Sequence, residues 1–402
     1  MKFDILKQDF PIFKNNKDLI YLDNAATSQK PQSVINSISH VYEYENAPVH
    51  RGVYKLAESI TEKYEQSRQI IAQFLNADSN EIVFTQGTTD GINIVAFSWA
   101  QQNLKKGDTI LLSELEHHSN LLAWQELAKK NSLKIKYLEV DEHGILKIDR
   151  LENLLKDNIK LVAISHISNT TGAENNVKLI ISKAHQYGAK VLLDAAQSAG
   201  HRKIDVKNLN VDFLVFSAHK MLGPNGIGAL FIKKNLHDQI SPYRFGGGMV
   251  FEAGLEKSTY LKMPKGLEAG SLNAPAAIGF AQAIKYLDEK VNFEDLKKHE
   301  ANLCTKLIEG LSEFKDVKII GDISELKKEG HIVTFSFKDI HPHDLAAYLD
   351  TYNICVRAGH HCAQPLHKKL GLSGSLRVSF YLYNSIKDVE TLIDALKKFK
   401  EF

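Results

Sequence analysis

Five short runs of apolar, often β-branched positions punctuate the first two thirds of the chain: DTILLSEL (108–115), KLVAISHI (160–167), AKVLLDAA (189–196), DFLVFSAH (212–219) and IGALFIKK (227–234). Between them lie longer segments whose apolar residues recur with helical period. Ser119 to Lys130 reads as one such helix. Val177 to Tyr187 reads as another, with Gly188 as its C-cap. Apolar strands alternating with amphipathic helices predict an α/β core, a mainly parallel sheet covered on both faces. From about residue 290 the texture changes. A Lys/Glu-rich helix (Glu294 to Leu311) is followed by the strand runs VKII, HIVTFSF, NICVRAG and SLRVSF, then a closing helix from Ile386. That order predicts a smaller α+β domain. The expected division is a large domain over 15–290 and a small one built from 1–14 and 291–402. The Gly- and Pro-bearing stretch from Ser241 to Ala276 is too long for a linker, so it is expected to carry function.

Composition narrows the function classes. With 50 Lys+Arg against 48 Asp+Glu, the formal charge is +2. A counterion-driven grip on nucleic acid or on an anionic membrane needs clustered excess cations, so neither partner is expected. Three cysteines (Cys304, Cys355, Cys362) are too sparse for a disulfide framework, and a reducing cytoplasm is the expected location. The N-terminus carries charges every few residues, unlike a signal peptide, and no run approaches the ~18 uninterrupted apolar residues of a membrane span.

Chemistry concentrates at a few strand ends. In Phe216-Ser217-Ala218-His219-Lys220-Met221-Leu222-Gly223-Pro224 an apolar strand delivers an amine to a Gly-Pro turn, at the end of a sheet strand, where α/β folds bind ligands. Asp194 follows the apolar run before Ala195-Ala196-Gln197, where a charge costs several kcal/mol unless a cation meets it. Taken alone, Asp194 reads equally as a helix cap. An Asp and a Lys at the ends of successive strands are, however, the two anchors pyridoxal phosphate requires. The carboxylate keeps the pyridine nitrogen protonated, and the amine forms the Schiff base. Thr85-Gln86-Gly87-Thr88-Thr89 opens a helix, where N–H groups and the dipole favour a phosphate; Ser217 and His219 stand ready to join Thr88 and Thr89 as donors. In Glu116-His117-His118-Ser119-Asn120, imidazole stacked on the cofactor ring competes with a reading in which the His only caps or packs. Adjacent His side chains diverge, which disfavours a chelating pair.

The last cluster is Arg357-Ala358-Gly359-His360-His361-Cys362-Ala363-Gln364-Pro365. A thiol beside two His and an Arg in a Gly/Pro-bounded loop is a setting for an activated nucleophile. Cys304 and Cys355 sit in helical and strand patterns and read as small buried hydrophobes. Ligation of a metal by adjacent His360, His361 and Cys362 would be strained. Arg377, inside an apolar strand, needs a carboxylate partner, and a substrate could provide it.

Together these segments resemble the SufS-like (group II) cysteine desulfurases of the class V aminotransferase family, from Tyr21-Leu22-Asp23-Asn24-Ala25-Ala26-Thr27 to Tyr381-Leu382-Tyr383-Asn384. The resemblance implies a PLP-dependent transferase of fold type I that converts L-cysteine to L-alanine and leaves a persulfide on Cys362. Lys220 would hold the cofactor, Asp194 the ring nitrogen and Gln197 the ring hydroxyl. His117 would stack on the ring and shuttle protons. Thr88, Thr89, Ser217 and His219 would bind the phosphate, and Arg377 and Asn169 the substrate carboxylate, with Arg357 nearby. The short spacing around Cys362 fits the SufS-like group better than the long mobile loop of the IscS-like one. In family members the stretches resembling Asn46–Gly52, with His50 and Arg51, and Glu268–Ser271 reach the active site, the second from the partner subunit, so a homodimer is expected. Ser271 stands where Thr is common, and Tyr54 where His is common. Ile340-His341-Pro342-His343-Asp344 reads as a turn opening a helix. It also resembles enzymes whose acceptor is a zinc-bearing SufU-type protein, with His343 meeting that zinc; a SufE-type acceptor stays open. Delivery of sulfur to iron–sulfur cluster assembly and action on L-selenocysteine are further implications. Another class V enzyme, an aminotransferase or selenocysteine lyase, would share Lys220 and Asp194.

Overall fold

The computed structural model describes residues 2–400. The expected small unit begins at Met1 and ends at Phe402, and both ends lie outside those residues. Seven strands form the main sheet in the order Ile82–Thr85, Gly228–Ile232, Phe213–Ser217, Lys190–Asp194, Ile159–Ser165, Thr109–Ser113, Lys134–Leu138. Only the pairings of Gly228–Ile232 are antiparallel; the other neighbours run parallel, as doubly covered apolar strands do. All five apolar runs of the sequence are present as strands. Lys134–Leu138 was not among them, and its exposed Lys134 suits an edge that must not pair further. The helices Ser119–Asn131 and Val177–Gln186 match the periodicity, with Gly188 at φ +77° closing the second.

A second sheet holds Val317–Ile320, Ile332–Phe337, Ser375–Ser379 and Arg357–Gly359, all antiparallel. Its apolar face, with Val333, Phe335, Leu376 and Val378, packs against the helices Phe293–Leu311 and Ile386–Lys400 through Leu303, Leu307, Leu392 and Leu396. The run NICVRAG, expected as one strand, is split: Ile354–Cys355 pairs in parallel with Ile20–Tyr21, while Arg357–Gly359 joins the sheet edge. The break at Val356 lets one apolar run serve two partners. Leu22 is buried in the same cluster as this second sheet. Among the described residues no helix is long and apolar enough to cross a membrane.

The stretch from Ser241 to Ala276 forms a hairpin, Val250–Ala253 with Ser258–Tyr260, whose Phe251 and Leu255 are exposed. It ends in a 3₁₀ turn, Lys265–Leu267, that feeds the buried Glu268.

Candidate functional site

Four parallel strands end side by side at Ser113, Ser165, Asp194 and Ser217, and a cavity of about 210 Å³ opens there. Lys220, on a 3₁₀ turn Ala218–Lys220, reaches its wall. Main-chain N–H groups of Met221 and Gly223 donate to the Ala218 carbonyl, and Ser28 N–H donates to the His219 carbonyl, which fixes the turn. Gly223 is required because a Cβ there would lie 2.9 Å from Ala218 Cβ. Burial lowers the Lys220 pKa to about 8, Arg377 and Arg357 add to that, and Asp194 opposes it. About a tenth of Lys220 is therefore in the neutral, nucleophilic form at pH 7, far more than for an ordinary lysine.

Asp194 is 5% exposed and accepts the Ala196 N–H at 2.9 Å. Burial raises its pKa, while that hydrogen bond and the Lys220 charge hold it down. Gln197 also lines the cavity and spends its Nε2 on the Ala25 carbonyl at 2.8 Å.

Opposite, the Gly87 turn opens the helix Thr88–Ile94. Gly87 has φ +144°, and a Cβ on Gly228 would sit 2.7 Å from Gly87 Cα, so both glycines allow the strand and the turn to close up. Thr88 N–H donates to Ser217 Oγ at 2.8 Å, and the two hydroxyls are 2.9 Å apart. Thr89 Oγ1 is 2.7 Å from Ser119 Oγ, which lies 3.1 Å from His117 Nδ1. Ser119 N–H donates to the same Nδ1 at 3.1 Å, so the proton of the neutral ring sits on Nε2. Burial lowers the His117 pKa to about 3, with Lys220 contributing. His219 is lowered to about 4, again chiefly by burial.

The Cys362 loop closes the cavity. His361 and Cys362 both have positive φ, +51° and +58°. Non-glycine residues hold such a backbone only where their surroundings compensate. The compensation is visible: His118 N–H donates to the Cys362 carbonyl at 2.8 Å, Asn169 Nδ2 to the His361 carbonyl at 2.7 Å, and His361 Nε2 lies 3.0 Å from Ser375 Oγ. Arg357 Nη2 lies 3.8 Å from the Cys362 sulfur. Arg377 is 1% exposed, donating to the Asn169 carbonyl at 2.9 Å and to Asp23 at 3.0 Å, and its Nε has no partner.

Thus Thr88, Thr89, His117, Asn169, Asp194, Gln197, Ser217, His219, Lys220, Arg357, Cys362 and Arg377, all expected from the sequence, border one space. The structure does not bring His50, Arg51 or Ser271 there. His50 and Arg51 line a separate cavity of about 480 Å³, and Ser271 is exposed. His343 is exposed beside the Cys362 loop, where a Cβ on Gly359 would lie 3.5 Å from its Nε2. Sequence reasoning missed Ser119 and Ser165 as cavity residues. The signal for Ser119 was its place two residues after His117 at a helix start.

Residues 20–392 match the family Aminotransferase class-V. The chain belongs to that family. The cofactor of class V aminotransferases is pyridoxal 5'-phosphate. A protein of Halalkalibacterium halodurans named "Probable cysteine desulfurase" is 43% identical over 401 residues, covering 99% of this chain and 98% of its own. The solved cysteine desulfurase of Thermococcus onnurineus superposes with a TM-score of 0.94 at 40% identity, covering 98% of each chain. The Escherichia coli cysteine desulfurase CsdA gives 0.92 at 34% identity over 100% and 99%. The class V architecture expected from the sequence is therefore the one observed. The cavity fits the cofactor. It holds an amine, a buried carboxylate and hydroxyls at a helix start, while the buried Ser165 Oγ and Arg377 Nε on its wall have no partner.

Proposed function

We propose that this chain is a cysteine desulfurase that converts L-cysteine and the Cys362 thiol into L-alanine and a Cys362 persulfide. The observation that carries the reading is one cavity holding Lys220, Asp194 and a Cys362 thiol 3.8 Å from Arg357. Pyridoxal phosphate, when bound, lowers the cost of negative charge at the substrate Cα by drawing it into the ring. Lys220 anchors the cofactor and moves the α-proton; its lowered pKa supplies the basic amine. When the cofactor is bound, Asp194 would serve its ring nitrogen and Gln197 its ring hydroxyl. Thr88, Thr89, Ser217 and His219 would hold the phosphate. His117, neutral with its proton on Nε2, would lie beside the ring and pass protons to the substrate. Arg377, with its free Nε, and Asn169 orient the substrate carboxylate, and Arg357 donates toward the Cys362 sulfur. The Cys362 thiolate attacks the substrate sulfur: an S–S bond forms, the C–S bond breaks, and its electron pair returns to carbon, which is protonated to give alanine.

The finer reading is that of a cytoplasmic, SufS-like homodimer that feeds iron–sulfur cluster assembly. Exposed Phe245, Phe251 and Leu255, and the position of Ser271 away from the Lys220 cavity, support a second copy whose Glu268–Ser271 stretch completes the site, with His50 and Arg51 near it. The domain division 15–290 against 1–14 and 291–402 belongs to this reading. His343, exposed over Gly359, supports a zinc-bearing SufU-type acceptor, with a SufE-type protein as the alternative; His343→Ala is expected to abolish stimulation by the former only. L-selenocysteine is a further expected substrate, because its weaker bond to carbon breaks more readily.

The test compares alanine release from L-cysteine, with a thiol reductant, for the wild type and Cys362→Ala. Only the wild type is expected to release alanine and to gain one sulfur on Cys362 by mass spectrometry. Equal turnover by Cys362→Ala would refute the nucleophile. Absence of alanine from both colored proteins would point to an aminotransferase or selenocysteine lyase.

A further inference from the structure

Imidazoles flank the thiol along the chain, His361 just before Cys362 and His367 on the short helix Gln364–Lys369 that follows it, and both end on one hydroxyl. His361 Nε2 lies 3.0 Å from Ser375 Oγ and His367 Nε2 lies 2.8 Å from it, with all three side chains buried. The other ring nitrogen of His367, Nδ1, lies 3.0 Å from the Ala363 carbonyl. That contact gives the chain a direction. A carbonyl only accepts, so His367 Nδ1 carries the proton and, in the neutral ring, Nε2 is a lone pair. The Ser375 hydroxyl donates its one proton to that lone pair. Its oxygen then accepts His361 Nε2–H, which leaves His361 Nδ1 as a lone pair, the ring atom that has no partner. Neither ring has a carboxylate among its hydrogen-bond partners, and burial lowers the pKa of both, with Arg377 adding to the effect at His361.

Ser375 begins the strand Ser375–Ser379, opposite Gly359 of the strand Arg357–Gly359. Arg377, two residues on, presents its side chain to the same face of the strand. The register partner of Arg377 is Arg357, which donates toward the Cys362 sulfur. One strand therefore carries both the hydroxyl that meets the thiol loop and the guanidinium on the cavity wall. The backbone of the loop, with positive φ at His361 and Cys362, persists only as firmly as its ties. We propose that Ser375 is a positioning residue for Cys362: its hydroxyl, shared by His361 and His367, clasps the thiol loop from both sides onto the strand that carries Arg377. The clasp fixes how the sulfur nucleophile stands relative to the group that orients the substrate, and misplacement of either slows attack. The proposal deepens the desulfurase reading and rests on Cys362 as its nucleophile.

The experiment measures alanine release from L-cysteine by the holoenzymes of the wild type, Ser375→Ala, His367→Asn and the double variant. It also follows amide hydrogen exchange by mass spectrometry in the peptides holding Ala363 and His118, whose N–H groups donate to the His360 and Cys362 carbonyls. Ser375→Ala is expected to lower kcat about tenfold or more, with KM and cofactor content within about twofold of the wild type, and to speed exchange about tenfold in those peptides. His367→Asn keeps an amide near the Ala363 carbonyl but does not reach Ser375. It is expected to give the same losses, and the double variant no more than the larger of them, because the two side chains act through one chain of hydrogen bonds. Ser375→Thr keeps the hydroxyl and is expected to return kcat to within about threefold of the wild type. If Ser375→Ala fails to fold, His367→Asn carries the same comparison. Unchanged kcat or unchanged exchange, losses that multiply in the double variant, or a loss confined to KM would overturn the proposal. Alanine release that survives Cys362→Ala would instead overturn the nucleophile reading, and the exchange measurement would still decide whether Ser375 holds the loop.

Discussion

Replacing Glu268 by Ala tests how the cradle and the Glu268–Ser271 stretch are held. Glu268 is 7% exposed and Arg68 1%. Arg68 grips the carboxylate with two nitrogens, at 2.6 and 2.8 Å, while Tyr64 OH donates at 3.1 Å and Phe84 N–H at 2.8 Å. Removing one partner of a buried pair costs about 3–5 kcal/mol, because the other charge is stranded in a medium that solvates it poorly. Arg68 retains Glu65 at 2.9 Å and the Ile82 carbonyl at 2.9 Å, which places the charge contribution toward the lower end of that range. The Phe84 N–H and Tyr64 hydroxyl also lose their acceptor, at about 1–3 kcal/mol for a buried group left unpaired. These contributions overlap, and the expected total is about 4 kcal/mol, nearly three decades in the ratio of folded to unfolded protein. Phe84 lies one residue before Thr85, so the loss reaches the phosphate cradle directly. The assay is urea unfolding of the holoenzyme at fixed protein and cofactor concentration, comparing midpoints at constant slope. The double variant Arg68→Met/Glu268→Ala should recover more than half of the loss, since it removes the stranded charge. A single-variant cost below about 1 kcal/mol, or a double variant worse than the sum of the singles, would refute the account.

Two further outcomes follow from the site. Arg377→Lys keeps the charge but loses the planar fork that bonds Asp23 and the Asn169 carbonyl. The variant is expected to lower kcat/KM for L-cysteine by about 10- to 100-fold, mostly through KM, and unchanged kinetics would remove Arg377 from substrate binding. The buried imidazoles set an acid limit, because burial lowers His166 and His219 to about 4 and His361 to about 2. Between those values and the ordinary 6.5 the unfolded chain binds more protons than the folded one, so stability rises with pH across that window and is lost as pH falls through it. The urea midpoint should drop from pH 6.5 towards pH 4, and His361→Gln should flatten the drop; an identical slope in that variant would refute the assignment.

Local chemistry along the chain determined the five apolar strands of the main sheet, the strand runs of the second sheet, the helices Ser119–Asn131, Val177–Gln186, Phe293–Leu311 and Ile386–Lys400, and the identity of nearly every residue around the cavity; the long helices Lys55–Phe74 and Ala274–Lys290 and the edge strand Lys134–Leu138 were not read from it. Fully apolar runs cannot stay in water, and Asp194, Lys220 and Arg377 declare themselves as charges placed at or inside such runs. The tight turn at Gly87 and the thiol loop at Cys362 are legible for the same reason, since glycine, proline and clustered polar residues interrupt the pattern. What the pattern omits are the partners that lie far apart in sequence. The split of Ile354–Gly359 between two sheets depends on the Ile20–Tyr21 segment pairing there, a contact no local period encodes. The Cys362 loop is held in a positive-φ conformation by His118 and Asn169, which come from other strand ends. The hydrogen bonds that Glu116 accepts from Ser113 and Ser165 exist only once those two strand ends are aligned. Side-chain type is a property of the sequence, whereas desolvation and proximity of charge are properties of the packed chain, and those decide how each ionisable group titrates.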